Sequence, residues 1–287
     1  MPQYVGRFAP TPTGPLHFGS LVAALASYLD AKSHNGTWLL RIEDLDPPRE
    51  DKTASTLIPN QLFQHGLQWD GEIEFQSNHG PRYERYLEQL RRLNLLFPCG
   101  CSRKKLLSSQ GLHQGNCHSE TAEPHAWRLA VPDEIWRFTD EVYGDNSQAL
   151  AQVGDQVLKR KDGLYAYQLA VVVDDHESGI NHVVRGLDLL DNTARQLYLM
   201  QCLDIRAPHY LHIPLIINES GQKLSKQNQA QALNPNSVVN NLIEALKFLK
   251  QPLPPIEIQQ DTHSLLNWAI KHWQTSNIPP VKDGLIP

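Results

Sequence analysis

Methionine is scarce in this chain, at two in 287 residues, and cysteine is held to four. Four cysteines are too few for a disulfide scaffold of this length, and three of them fall close together. No apolar run is long enough to span a bilayer. No basic stretch followed by an apolar one opens the chain as a secretory signal would, so the cytoplasm is the default expectation, with no membrane partner. Excess positive charge is missing too. A net charge of −5 excludes a surface that is basic throughout, so a nucleic-acid partner would need a local cationic face. Neither G-x-x-x-x-G-K-[ST] nor G-x-G-x-x-G occurs, which removes the phosphate-loop and dinucleotide readings. There is no internal repeat and no low-complexity tract.

What is present is an alternation of strands and helices. The run YVGRFA, residues 4–9, reads as a short strand. Pro10, Pro12, Gly14 and Pro15 then forbid regular structure. From Gly19 onward Leu21, Val22, Leu25, Tyr28 and Leu29 recur at helical spacing. Such a loop sits at the carboxyl end of a strand and points a helix N-terminus, which favours an anion, at whatever binds there. A strand follows over Trp38–Ile42, ending in acidic residues, then a helix over 53–65. Ser77 or Asn78 is a candidate cap for a helix with Pro81 in its first turn and Tyr83, Tyr86, Leu87, Leu90 and Leu93 on one face.

Between Phe97 and Tyr165 the rhythm fails, and the stretch reads as an insertion between two halves of a sheet. It resumes with YQLAVVVDD, expected as a buried strand, then HVVRG, a helix over 192–203 and the strand YLHIPLIIN. The polar loop GQKLSKQNQA and two amphipathic helices, 236–249 and 262–273, complete the chain. The expectation is an α/β fold with a parallel sheet. Residues 1–96 would form its first half, 97–165 the insertion, 166–217 the second half and 218–287 a helical extension.

Two short motifs carry the chemistry. The first is His17-Phe18-Gly19-Ser20, preceded by Arg7-Phe8-Ala9-Pro10-Thr11-Pro12-Thr13-Gly14. The second is Lys223-Leu224-Ser225-Lys226-Gln227, after a strand. Either alone also reads as an incidental histidine or a solvated basic loop. Together they resemble the H-I-G-H and K-M-S-K-S signatures of class I aminoacyl-tRNA synthetases. That resemblance implies a Rossmann-like catalytic domain that uses ATP with Mg2+. His17 and Gly19 would lie at the nucleotide, with His17 donating to phosphoryl oxygens. Lys226, and then Lys223, would stabilise charge growing on the pyrophosphate.

The run from Arg7 to Gly14 is similar to the glutamyl and glutaminyl branch in particular. So are Leu40-Arg41-Ile42-Glu43-Asp44-Leu45-Asp46, Asp174-Asp175-His176 and His182-Val183-Val184-Arg185-Gly186. The branch implies a glutamate site built from Arg7, Phe8, Ala9, Pro10, Thr11, Glu43, Tyr167 and Arg185. Arg7 and Arg185 would contact the substrate carboxylates, Glu43 the ammonium, and Tyr167 would supply a hydroxyl. A solvated loop or helix cap at Glu43, Asp44 and Asp46, and a surface ion pair at Arg185, are the alternatives. Glutamate rather than glutamine rests on the resemblance.

Cys99-x-Cys101 followed by His113-x-x-x-Cys117 offers three thiolates and an imidazole, a donor set suited to one structural tetrahedral zinc. His118 rivals His113, and three reduced or redox-active thiols are the alternative reading. Cys202 lies on an apolar helix face as a small packed residue. His65, His79, His125, His209, His212, His263 and His272 have no partner spacing and read as surface or satisfied core side chains. Trp268 and Trp273 read as packing residues.

Only 61 residues follow Lys226, too few for the further domain of ~100 residues expected of an anticodon-binding region. Gln227-Asn228 also departs from the K-[LM]-S-K-R-H-G pattern of glutamyl-tRNA synthetases. The chain looks like the short paralogues, the glutamyl-queuosine tRNA(Asp) synthetases. In these the third metal ligand is often tyrosine, where His113 stands here. The resemblance implies activation of L-glutamate without tRNA, then transfer to queuosine at the wobble position of tRNA(Asp). Two alternatives stay open: a truncated glutamyl-tRNA synthetase charging the 3′ end of tRNA(Glu), and a non-catalytic tRNA-binding relic. Intact His17, Lys223, Lys226, Arg7 and Glu43 argue against the relic. A monomer is expected.

Overall fold

In the computed structural model, residues 3–106, 112–113, 124–217 and 232–284 are described. A parallel sheet is built from β1 (Val5–Phe8), β2 (Thr37–Ile42) and β3 (Glu74–Phe75). Helix α1 (Phe18–Ser33) connects β1 to β2, and α2 (Ala54–Gln64) lies between β2 and β3. Helix α3 (Gly80–Arg92) follows, starting after a short turn at Gln76–His79. Ser77 is not its cap: its amide and hydroxyl donate to Asp44, at 2.9 and 2.6 Å.

The stretch expected as an irregular insertion holds more order than its sequence suggests. Strands β4 (Leu96–Cys99), β5 (Ala126–Leu129) and β8 (Gln156–Lys159) form an antiparallel sheet, with the short α4 (Arg103–Leu106) after β4. Strands β6 (Ile135–Asp140) and β7 (Gly144–Ala149) form a hairpin that joins the second parallel group. That group pairs β9 (His182–Gly186) with β10 (His209–Ile213), and β10 with β6 through Tyr210 and Asp140. Helix α5 (Tyr167–Glu177) precedes β9, α6 (Thr193–Cys202) joins β9 to β10, and α7 (Val238–Phe248) and α8 (Thr262–His272) close the described chain. Among the described residues no helix is long and apolar enough to cross a membrane.

The two parallel groups meet where β1 lies beside β9. Asn181 donates its amide to Val5 O at 3.0 Å and accepts the Val5 amide at Oδ1, at 2.9 Å. Both strands start at this junction, so their carboxyl ends emerge together. The chain reverses its strand order here, and in open α/β sheets the ligand crevice opens at such a point. Helix α1 crosses the junction. It buries Leu21, Val22, Leu25 and Leu29 against the sheet, and Leu242, Ala245, Leu246, Leu265 and Ala269 of α7 and α8 complete the same core. The tail helices therefore brace the helix whose N-terminus carries His17.

The run YQLAVVVDD is a helix, not the strand expected from its three consecutive valines. Residues 169–175 of α5 are all buried. A segment covered on every side loses the periodicity that would reveal it, and tertiary burial then overrides β-branched propensity. The helical geometry has a consequence. Asp174 and Asp175 are adjacent in sequence but about 100° apart around the axis. Asp174 faces α3, taking bonds from Tyr83 Oη (2.5 Å), Arg82 Nη1 (2.9 Å) and Gln76 Nε2 (2.9 Å). Asp175 faces the sheet, where Arg7 Nε and Arg41 Nη1 approach one of its oxygens at 3.1 and 2.7 Å.

Burial pushes the Asp175 carboxyl up, but the charges and hydrogen bonds of Arg7 and Arg41 outweigh it and hold the group below its ordinary range. A depressed native pKa contributes stability that is present above the unfolded value of about 4 and is lost as pH falls through the folded one. Replacing Asp175→Asn removes the counter-charge that buried Arg7 and Arg41 share, leaving Arg41 with Glu43 alone and Arg7 with no ion-pair partner among the described residues. It should cost about 3–5 kcal/mol in urea denaturation at neutral pH. A loss below about 1 kcal/mol would show that the pair is not needed for folding.

Candidate active site

The loop between β1 and α1 is held open by its prolines, which donate nothing, and by its carbonyls, which accept from the far side of the cleft. Pro10 O takes the Glu43 amide at 3.0 Å and Pro12 O takes the Asp51 amide at 2.8 Å. Leu16 N donates to Gln61 Oε1 of α2 at 2.8 Å. Gly14 has a φ of 140°, a conformation an L side chain rarely adopts. Because Pro10 and Glu43 are bonded through their backbones, the proline loop and the acidic end of β2 reach the same place.

His17 is the N-cap of α1. Its Nδ1 accepts the Ser20 amide at 3.3 Å, and Nε2 lies 3.0 Å from Ser20 Oγ. An Nδ1 that accepts fixes the neutral tautomer with the proton on Nε2, so His17 is a hydrogen-bond donor at that atom. No acidic residue occupies the first turn of α1, so the positive end of the helix is not neutralised there. The cleft in front of it, about 370 Å³, is lined by Pro10, Thr11, His17 and Gly19 from one side and by Gly186 and Ile216 from the other. Phe8 forms part of its floor and is buried against Trp38, with ring centroids 6.5 Å apart. Ala9 is half-buried between Phe8 and Pro10 in sequence.

A second set of side chains lies at the ends of β1, β2 and β9. Arg7, Arg41, Glu43 and Arg185 are all buried. Glu43 Oε1 accepts from Arg41 Nη2 at 3.4 Å, while Oε2 has no hydrogen-bond partner among the described residues. Burial pushes the Glu43 carboxyl up, with Arg41 and Arg7 pulling the other way. Arg7 spends only its Nε on protein among the described residues. Its two terminal nitrogens keep the paired geometry that suits a carboxylate. Tyr167, the first residue of α5, is half-buried, and its phenol feels the charges of Arg185, Glu43, Arg7 and Asp175. Burial raises the Tyr167 phenol, keeping it a protonated donor.

Arg185 corrects the sequence picture in one respect. It is neither a surface ion pair nor a free fork. Nε donates to His212 Nε2 (2.9 Å), Nη1 to Gln196 Oε1 (2.7 Å), and Nη2 to Thr193 Oγ1 (2.8 Å) and Leu189 O (3.3 Å). Four of about five N–H donors are thus engaged, leaving its charge and one N–H. Two participants went unrecognised in the sequence. Arg41 and Asp175 sit within stretches that resemble the family, yet no spacing rule pairs residues so far apart along the chain.

The sulfur atoms of Cys99 and Cys101 and a ring nitrogen of His113 lie within 4.8 Å of one another. Cys99 ends β4, and the Cys101 amide donates to its Sγ at 3.4 Å. His113 Nδ1 lies 2.7 Å from Asp155 Oδ2, which orients the ring and leaves Nε2 for a metal. The Asp155 amide donates to His113 O at 2.7 Å. Gly154 has φ +70, and a Cβ there would meet His113 O at 2.8 Å, so only glycine lets the two backbones approach. The donor set and its carboxylate support fit tetrahedral zinc. Cys117 and its neighbour His118 lie outside the described residues, as do Lys223 and Lys226. The other histidines set aside in the sequence include His212, which is fully buried and fully bonded rather than idle.

Residues 3–118 and 109–247 match the family described as tRNA synthetases class I (E and Q), catalytic domain. The chain is 49% identical over 281 residues to the glutamyl-Q tRNA(Asp) synthetase of Pseudomonas aeruginosa, covering 96% of each chain. It is 46% identical over 290 residues to that of Neisseria meningitidis serogroup B, covering 96% of this chain and 98% of the relative. Its fold superposes on the glutamate-tRNA synthetase from Elizabethkingia anophelis with a TM-score of 0.83 at 24% identity, over 98% of this chain and 67% of that one. The chain belongs to the class I tRNA synthetase family of the glutamate and glutamine type, and within it to the glutamyl-Q tRNA(Asp) synthetases, as a ligase.

Proposed function

We propose that the protein activates L-glutamate with ATP and then transfers the glutamyl group to queuosine at the wobble position of tRNA(Asp). The observation that carries this reading is the meeting of buried Arg7, Glu43 and Arg185, with half-buried Tyr167, beside a cleft that opens on the N-terminus of α1. An amino acid needs one anion and one or two cations; a nucleotide needs amide and imidazole donors.

In the first step a carboxylate oxygen of glutamate attacks the α-phosphorus of ATP. The bond to the bridging oxygen breaks and pyrophosphate leaves. Glu43 Oε2 receives the α-ammonium. The terminal nitrogens of Arg7 and the charge of Arg185 hold the carboxylates, and Tyr167 adds a hydroxyl. His17 Nε2–H donates to phosphoryl oxygens as they gain charge. Gly19, which has no side chain, lets the nucleotide lie close to the backbone. Mg2+ carried in with ATP offsets the charge of the triphosphate. Lys226 and Lys223 are assigned to the departing pyrophosphate. Support comes from their described flanks: Ile216 lines the cleft, and Ala232 pairs with His17.

In the second step a hydroxyl of the queuosine cyclopentene ring attacks the acyl carbon, an ester forms and AMP leaves. The names of the relatives support this acceptor. No enzyme nucleophile is needed, since alignment and charge stabilisation supply the acceleration. Cys99, Cys101 and His113, with Cys117, would hold one structural zinc that pins the segment between β4 and β8.

Three outcomes test the reading. Purified protein should catalyse glutamate-dependent ATP–pyrophosphate exchange without tRNA, and Lys226→Ala should lower it at least ~100-fold without a change in thermal unfolding. Near-normal exchange by that variant would remove Lys226 from the chemistry. Radiolabelled glutamate should pass to tRNA(Asp) that carries queuosine and not to tRNA(Glu). Charging of the 3′ end of tRNA(Glu) would establish the truncated-synthetase reading instead, and no exchange with glutamate, glutamine or aspartate would leave a tRNA-binding relic. Elemental analysis should find about one zinc per chain, lost in Cys99→Ser. Full metal retention by that variant would contradict the site.

A further inference from the structure

Arg185 is useful to substrate only if its guanidinium cannot rotate, and the acceptor of its Nε is an imidazole rather than a carboxylate. The guanidinium has no lone pair to offer, so His212 Nε2 accepts at 2.9 Å and must be unprotonated. The ring proton then sits on Nδ1, where Asp140 Oδ2 lies at 2.6 Å. Asp140 is itself fixed. Oδ2 also takes the His212 amide at 3.1 Å, and Oδ1 takes the amides of Val142 and Tyr143 at 3.0 and 2.9 Å. Both His212 and Asp140 are buried. The chain from backbone amides to carboxylate, imidazole and guanidinium therefore has a single consistent proton arrangement.

We propose that His212 and Asp140 form a positioning relay that fixes the orientation of Arg185 toward the amino-acid substrate. The proposal rests on Arg185 being a substrate contact, as in the function proposed above. The relay crosses three strands. Asp140 ends β6, His212 lies on β10 and Arg185 on β9, so the hairpin that joins the sheet edge reaches the substrate site through it. The ionisable and charged groups around His212 are Asp140 from β6, Arg185 from β9, Asp188 from the turn after β9, and Tyr210 on its own strand. Burial pushes the His212 imidazolium down, with the Asp140 hydrogen bond pulling the other way. A second proton on His212 would remove the acceptor of Arg185 Nε and set two cations against each other.

Two substitutions separate the halves of the relay. His212→Asn retains an amide donor near Asp140 but has no group long enough to accept from Arg185. His212→Gln can accept from Arg185 through Oε1. In glutamate-dependent ATP–pyrophosphate exchange, His212→Asn should raise the glutamate KM at least about tenfold, with the ATP KM and the thermal unfolding midpoint little changed. His212→Gln should restore most of the loss. A parallel rise in both KM values, or a Gln variant as impaired as the Asn one, would overturn the relay. Imidazole nitrogen NMR of the unaltered protein provides a readout independent of activity. Protonated Nδ1 with unprotonated Nε2 at neutral pH supports the relay, and the opposite tautomer overturns it. Should the unaltered protein show no glutamate-dependent exchange, the activity reading fails, and the tautomer alone decides the relay.

Discussion

The site depends on one buried carboxylate. Asp175 sits between Arg7 and Arg41, so two guanidinium groups from neighbouring strands can be buried side by side without mutual repulsion. An isolated buried charge is expensive, and a paired one survives only with good geometry and further hydrogen bonds. Arg41 in turn reaches Glu43 at 3.4 Å. Along the order of charges, from Arg7 through Asp175 and Arg41 to Glu43, both ends keep unspent capacity, and Arg41 Nε in the middle is a further buried donor without a partner among the described residues. Those ends are the terminal nitrogens of Arg7 and the Oε2 of Glu43, a cation and an anion, which is the complement of an amino acid.

The nucleotide side is built by a different means. It uses backbone and helix rather than side-chain charge: an open proline loop, an N-cap imidazole with a fixed tautomer, and the uncompensated positive end of α1. The apolar packing of α7 and α8 on α1 holds that end in place. Phe248 meets Phe18, the first residue of α1, edge-on at 6.4 Å between ring centroids. Helices α7 and α8 therefore contribute to the site by bracing the helix that carries His17.

Much of this was legible in the sequence, for identifiable reasons. Helices α3, α7 and α8 bury one face each, so Leu90 and its partners recur at 3.6-residue spacing, and in α1, covered on most sides, Leu21, Val22, Leu25 and Leu29 still keep that spacing. Helix α5 was misread because burial on all sides erases that spacing and its valines favour a strand. The strands between β4 and β8 escaped notice because they are short and partly exposed, with Ile135 of β6 at 58% exposure. Arg7, Glu43 and Arg185 were found through motif likeness. Their partners were not, since Asp175 lies 168 positions from Arg7 and Asp140 lies 72 from His212. Sequence spacing reports neighbours on one element, whereas these pairs exist only once the sheet has assembled.

The most direct measurement is a crystal structure with a non-hydrolysable glutamyl-adenylate analogue. The account predicts the ammonium at Glu43, the side-chain carboxylate at Arg7 and Arg185, and the phosphate in front of His17 at the start of α1. An analogue whose amino-acid moiety lies outside the Arg7–Asp175–Arg41–Glu43 cluster, or whose phosphate lies away from His17, would contradict it.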